Sequence, residues 1–342
     1  MKRILKNLYL HCSFITRRLY GGIGYILMLH RVCPPVPGIR LVDNAGMEMT
    51  PKKLEAIIRF FKNRDYEFIS PDQLVERLPN KNNKRKFVIF TFDDGYADNY
   101  LHAYPVFKKH DVPFTIYVTT SFPDREAILW WYLLEDLLLE KDRLVIKTGS
   151  GEREFHCSSL NEKEETFRDI RSIIMNVSTN DYLETVAGIF EPYGIDVYRK
   201  TSELTLSWEQ IARLSRDHLV TIGAHTVNHY TLSKLSPAEV KKEILESKRR
   251  LESHLGREVH HFAYPYGGKE EAGKREFDLV KECGFKTAVT ARFAGVFPAH
   301  RQHLECLPRI FIHSGADDGF LKQVVNGTLT GMANRFRRVI TV

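Results

Sequence analysis

Apolar residues in this chain come in short runs. "GYILMLH" (24–30), "KFVIFTF" (86–92), "PFTIYVTT" (113–120), "HLVTIGA" (218–224), "HHFAYP" (260–265), "FKTAVT" (285–290) and "LPRIFI" (307–312) all have strand length. Runs with little polar alternation are expected of strands covered on both faces, as in a parallel sheet wrapped by helices. Between them the apolar period changes to that of a helix. Thr50 and Pro51 form a cap and first-turn pair ahead of Leu54, Ile57, Ile58 and Phe61. Residues 97–110 and 270–283 read as helices. Ser207 with Gln210, and Ser236 with Pro237 and Glu239, are capping-box starts, the second opening a helix over "SPAEVKKEILESKRRLESHL". Strands alternating with helices predict an α/β fold with a parallel sheet, and about seven such units favour a closed or nearly closed barrel. Chemistry is then expected at the C-terminal strand ends.

Residues 121–205 break this rhythm. "WWYLLEDLLLE", "NEKEETFRDIRSIIMNV" and "NDYLETVAGIF" read as helices, and the segment holds 17 acids against 10 Lys/Arg. It is predicted to be a helical insertion in a domain spanning 23–342.

Composition adds limits. The chain has 342 residues, 43% hydrophobic, with a net charge of +7. Seven Lys/Arg precede Asp43, the first acid, so the remaining 43 basic and 43 acidic residues balance. A basic excess confined to one end argues against a nucleic-acid footprint. The start, "MKRILKNLYLHCSFITRRLY", has neither a continuous apolar stretch nor a small-residue cleavage site. Its interleaved Ile, Leu, Phe, Lys and Arg fit an interfacial amphipathic helix over residues 1–22, or an ordinary helix packed on the domain. The expected location is cytoplasmic, peripheral at the inner face of a membrane. Five scattered cysteines without CxxC spacing predict free thiols, not a disulfide framework.

The polar groups at strand ends are His30, Asp93, Asp94, His225, His229, Tyr266 and Arg309. His225 and His229 are spaced i, i+4 and share a face if the segment turns helically. Two histidines and a carboxylate make a usual zinc set. A second carboxylate, left off the metal, serves as a general base. Adjacent aspartates reach one site only if the backbone turns, and Gly95 permits that.

"TFDDGY" followed by "HTVNH" resembles the polysaccharide deacetylase family, also called the NodB-homology or carbohydrate esterase 4 family. The likeness covers residues 86–119 and 207–313, and "FAYPYGG" resembles the family's third motif. The resemblance implies a distorted (β/α)7-type barrel and metal-dependent N-deacetylation of sugars. It implies Asp93 as base, Asp94, His225 and His229 as ligands of Zn2+ or another divalent metal, the Tyr96 backbone N–H as oxyanion donor, and Pro265 and Tyr266 as a groove wall. Two departures stand out. Ala263 occupies the place of the family's third-motif arginine, for which Arg309 in "LPRI" is the substitute on offer, and the late Asp-Trp motif has no match. For the general acid, "RIFIH" offers His313 and "ILMLH" offers His30. His30 is preferred, since it resembles the circularly permuted members acting on poly-N-acetylglucosamine. Trp130 and Trp131 read as helix packing ahead of sugar or lipid contact. The leading expectation is an N-deacetylase of N-acetylhexosamine in a bacterial surface polysaccharide or its lipid-linked precursor. An O-acetyl esterase or deformylase would use the same site, and a catalytically silent glycan- or membrane-binding module would share the fold.

Overall fold

The structure, a computed structural model, describes residues 14–79, 85–148 and 151–341. Seven of the apolar runs form strands: β1 (Gly24–Leu29), β2 (Phe87–Phe92), β3 (Phe114–Val118), β4 (Val220–Ala224), β5 (His261–Ala263), β6 (Thr287–Phe293) and β7 (Leu307–Phe311). Each pairs in parallel with its neighbour in sequence. β7 pairs back onto β1, Leu27 opposite Ile310 and Met28 opposite Phe311, and closes the barrel. A short strand, Glu67–Phe68, adds to the first two residues of β2.

Strand side chains alternate between two faces, and the buried clusters follow that alternation. Ile26, Phe87, Ile89, Tyr117, Ala263, Val289 and Leu307 form one cluster, inside the barrel. Leu27, Val88, Phe90, Ile116 and Ile222, from the other parity, pack with helix residues outside it. The interior is tight. A Cβ on Gly223 would lie 2.5 Å from the Tyr117 ring, so only glycine leaves that ring its place.

Around the barrel run α1 (Pro51–Lys62), three insertion helices α2 (Trp130–Glu140), α3 (Leu160–Asn176) and α4 (Tyr182–Phe190), then α5 (Trp208–Ser215) and α6 (Pro237–Leu255). The expected caps form. Thr50 accepts the Lys53 N–H, and Ser207 and Ser236 close reciprocal capping boxes with Gln210 and Glu239. The helix expected over 97–110 widens into a π turn at Asn99–Ala103 before α-helical Tyr104–His110. Pro105 has no N–H for the ladder, and the wider turn adjoins it.

The insertion has its own core, built on Leu133, Leu134, Leu137, Leu144, Ile146, Phe167, Ile170, Val186 and Phe190. It is not purely helical. Arg143–Thr148 and Gly151–His156 form an antiparallel hairpin. Buried Leu144 and Ile146 flank a partly exposed Val145, a period-two pattern too short to stand out among helices. Cys33, Cys157, Cys283 and Cys306 are free and buried. Most of the basic start, residues 1–13 with Cys12, lies outside the described residues. Residues 14–20 are helical, with Phe14 and Ile15 exposed. Among the described residues no helix is long and apolar enough to cross a membrane.

Candidate active site

Asp93 follows β2 on the inward parity, after Phe87, Ile89 and Thr91. Arg309 is inward on β7 by the same rule, two residues past Leu307. The two meet inside the barrel as a two-pronged pair, with Nη1 to Oδ1 and Nη2 to Oδ2 both 2.6 Å. Arg309 also donates from Nη1 to Thr91 Oγ1 and from Nε to the Thr290 carbonyl, 2.9 Å away. The β6–β7 register shifts between Val289 and Phe293, so the Thr290 carbonyl is available to the guanidinium. Side-chain exposure is 0% for Arg309 and 5% for Asp93. Burial pushes the Asp93 carboxyl up, but Arg309 and the nearby imidazoles more than offset it, and the net shift is downward.

Asp94 turns the chain. Its φ is +73° and that of Gly95 is +88°, left-handed conformations that swing the second carboxylate toward the same cavity. His225 and His229 converge on it, with Nε2 atoms 3.4 and 3.3 Å from Asp94 Oδ1. They do so without the helical turn expected from their spacing. Thr226 (φ +64°) and His229 (φ +59°) are left-handed, and Thr226 Oγ1 accepts the His229 N–H at 3.0 Å. Buried Glu243 on α6 fixes this loop by accepting the Val227 and Asn228 N–H groups and the Asn228 amide. Backbone strain of this kind persists only where surrounding contacts enforce it, and it concentrates at working sites.

The three side chains fit a divalent metal. Their ligand atoms lie within 4.8 Å of one another. His225 Nδ1 sits 2.8 Å from the Ala263 carbonyl, which fixes that nitrogen as the donor and leaves Nε2 for a cation. Asp94 Oδ1 is buried with no hydrogen-bond partner. Burial opposes ionisation of Asp94, yet the two imidazoles hold its carboxyl well below the usual range.

A cavity of about 410 Å³ opens above these groups, lined by His30, Asp93, Asp94, His225, His229 and Tyr266 among others. The Tyr266 ring packs edge-on to His229 at 4.8 Å. Pro265 is buried and does not line the cavity; its carbonyl accepts the Gly267 N–H in the turn that presents Tyr266. Tyr96 is fully buried, and its hydroxyl accepts the Trp131 indole N–H at 3.1 Å. His30 continues the inward parity of β1 after Ile26 and Met28. Burial lowers its pKa despite Asp94 and Asp93. His313 is elsewhere. It does not line the cavity, its Nδ1 accepts the Gly315 N–H, and its ring packs on Phe320.

Trp130 and Trp131 are helix-packing residues and cavity walls at once, Trp131 lying 5.6 Å from the His229 ring. Asp43, Asn44, Met47, Phe167, Arg171 and Glu271 also line the cavity and were not singled out from sequence. They sit in connections and on the insertion, and no motif announces them.

Residues 80–288 match the family model described as polysaccharide deacetylase. The Bacillus subtilis protein YxkH is 21% identical over 263 residues, 75% of this chain and 65% of that protein, so the chain spans less than two thirds of this relative. The Staphylococcus aureus poly-beta-1,6-N-acetyl-D-glucosamine N-deacetylase is 20% identical over 80% of this chain and 71% of its own length. Among solved structures, the Streptococcus pyogenes deacetylase PplD in complex with acetate aligns with a TM-score of 0.57 at 20% identity, covering 88% of this chain and 97% of that one. IcaB from Ammonifex degensii aligns at 0.53 and 18% identity, covering 89% and 97%. At such identities the structural likeness concerns the fold. With a family match over most of its length, a closed seven-stranded parallel barrel and the aspartate and histidine motifs at its mouth, the chain belongs to the polysaccharide deacetylase family.

Proposed function

We propose that the protein is a metal-dependent N-deacetylase of N-acetylhexosamine in a surface polysaccharide or its lipid-linked precursor. The observation that carries this reading is the convergence of Asp93, Asp94, His225, His229 and His30 on one cavity. The relatives' names supply the substrate class, an N-acetylglucosamine polymer in the Staphylococcus aureus case.

In this reading Asp94, His225 and His229 hold the cation. Bound there, zinc or a similar ion supplies Lewis acidity and brings the pKa of a water toward about 7. Asp93 takes the proton from the attacking water. Arg309 keeps Asp93 ionised and fixes both its oxygens, so the base presents one orientation. The Tyr96 backbone N–H stabilises the oxyanion. His30 donates a proton to the leaving nitrogen as the tetrahedral intermediate collapses, and the amine departs with acetate as coproduct. Tyr266 and the two tryptophans offer apolar faces to a sugar ring. The basic start, with exposed Phe14 and Ile15 beside Arg17 and Arg18, suits contact with anionic lipid.

The test is acetate release from N-acetylglucosamine oligomers by purified protein, with and without added zinc, beside Asp93→Asn. Release by wild type with metal, absent in the variant, supports the reading. No release from any N-acetylated sugar tried with loaded protein refutes it.

A further inference from the structure

The insertion crosses the mouth of the barrel and is held down on both sides. On one side the Glu135 carboxylate of α2 accepts Arg40 Nε at 2.8 Å, the Leu41 N–H at 2.7 Å and the Asn44 amide at 2.9 Å. Glu164 on α3 accepts the neighbouring Val42 N–H at 2.6 Å. On the opposite side the last turn of α3 and the residues after it meet the histidine loop. Ile174, Met175, Val177 and Tyr182 face His229, Tyr230 and Tyr266 across a narrow crevice. The Tyr182 and Tyr230 rings pack at 5.0 Å, and Thr179 bonds Glu239 at 3.1 Å. From Glu164 to Ile174 the helix runs about 15 Å at 1.5 Å per residue. Phe167 and Arg171, four residues apart and so on one face, look down into the cavity from it.

The site below is correspondingly sunk. Side-chain exposure is 5% for Asp94, 1% for His225 and 10% for His229. Trp130 and Trp131 close the cavity behind the histidines. Of the cavity residues, Asp93, Asp94, His225, Trp130, Trp131 and Phe167 are buried, while His30, His229 and Tyr266 are half-buried, as are Asp43, Met47, Arg171, Glu271 and Phe311 around them. An internal sugar of a polymer carries chain on both sides and needs an open groove with two exits. A roof anchored at both ends leaves room for a sugar that enters end-on.

We propose that the substrate is a terminal N-acetylhexosamine, taken from a chain end or a short glycan, and that the insertion excludes internal sugars. This rests on the deacetylase reading and narrows it.

The experiment gives zinc-loaded wild type N-acetylglucosamine, its defined linear oligomers and the long polymer, and maps lost acetyl groups by tandem mass spectrometry. The expected result is one acetate per chain at every oligomer length, always from the same terminal sugar. Acetate from internal sugars overturns this inference while leaving the deacetylase reading intact. No acetate from any of the substrates, the free sugar included, overturns both. Loosening the far anchor with Tyr182→Ala is expected to let internal sugars react. A variant that still reacts only at chain ends removes the insertion as the cause.

Discussion

The Arg309–Asp93 pair offers the sharpest test of how this barrel is held together at its site. Arg309 is sealed inside and Asp93 is buried at the cavity wall, and two charge-assisted bonds of 2.6 Å join them. Removing one partner of a buried pair leaves an uncompensated charge and costs about 3–5 kcal/mol. Arg309→Met keeps most of the apolar volume and deletes the charge, so the full figure is expected at pH 7. Asp93→Asn does the converse and leaves the guanidinium short of a counter-ion. Replacing both partners together removes the unpaired charge as well as the pair, and such double replacements are often near neutral. The double variant is therefore expected to regain most of what Arg309→Met loses. Arg309→Lys retains charge but not the fork, and should fall between. The assay is urea unfolding followed by circular dichroism, comparing midpoints at unchanged slope. A loss below about 1 kcal/mol in Arg309→Met, or losses that simply add in the double variant, would show that the pair is not the buried, coupled unit argued here.

Other outcomes follow from the same geometry. Asp94→Ala or His225→Ala should lower bound zinc from about one ion per chain to a small fraction, measured by mass spectrometry of the desalted protein. Glu243→Ala frees three N–H donors of the histidine loop and should weaken metal affinity about 10–100-fold in a competition titration with a chelator. An unchanged affinity would mean the loop holds its shape without α6. His30→Gln should reduce kcat about 10²–10⁴-fold in the acetate assay, while His313→Gln leaves it near wild type. The reverse pattern would reassign the acid. Stability should fall on acidification through His300, which is fully buried and whose pKa burial lowers from 6.5 to about 4. Above pH 6.5 neither state binds this proton. Between 6.5 and about 4 only the unfolded chain does, so stability drops by about 3 kcal/mol across that window. His300→Phe should flatten this part of the profile in urea unfolding at stepped pH.

Much of this protein is written locally in its residues. Strand positions follow from short apolar runs, because a strand covered on both faces needs apolar side chains at nearly every position. Helix starts follow from Thr50, Ser207 and Ser236, because a cap satisfies N–H groups within its own turn. The paired aspartates and spaced histidines could be read as a metal and base set because the chemistry demands those side chains. What the sequence by itself leaves open is direction. In strands apolar on both faces nothing distinguishes the inward parity from the outward one. Only closure of β7 onto β1 puts Arg309, Asp93 and His30 inside one ring; His313 shares the parity of Arg309 but lies beyond the end of β7 at Phe311, where its ring packs on Phe320. The histidines meet through two left-handed residues, not a helical turn, because Glu243 from a distant helix holds the loop in that shape. The cavity walls Asp43, Asn44, Phe167 and Arg171 are brought together by an insertion docked across the barrel, and Glu271 comes from the connection after β5. Those contacts join positions far apart in the chain, and no local pattern encodes them.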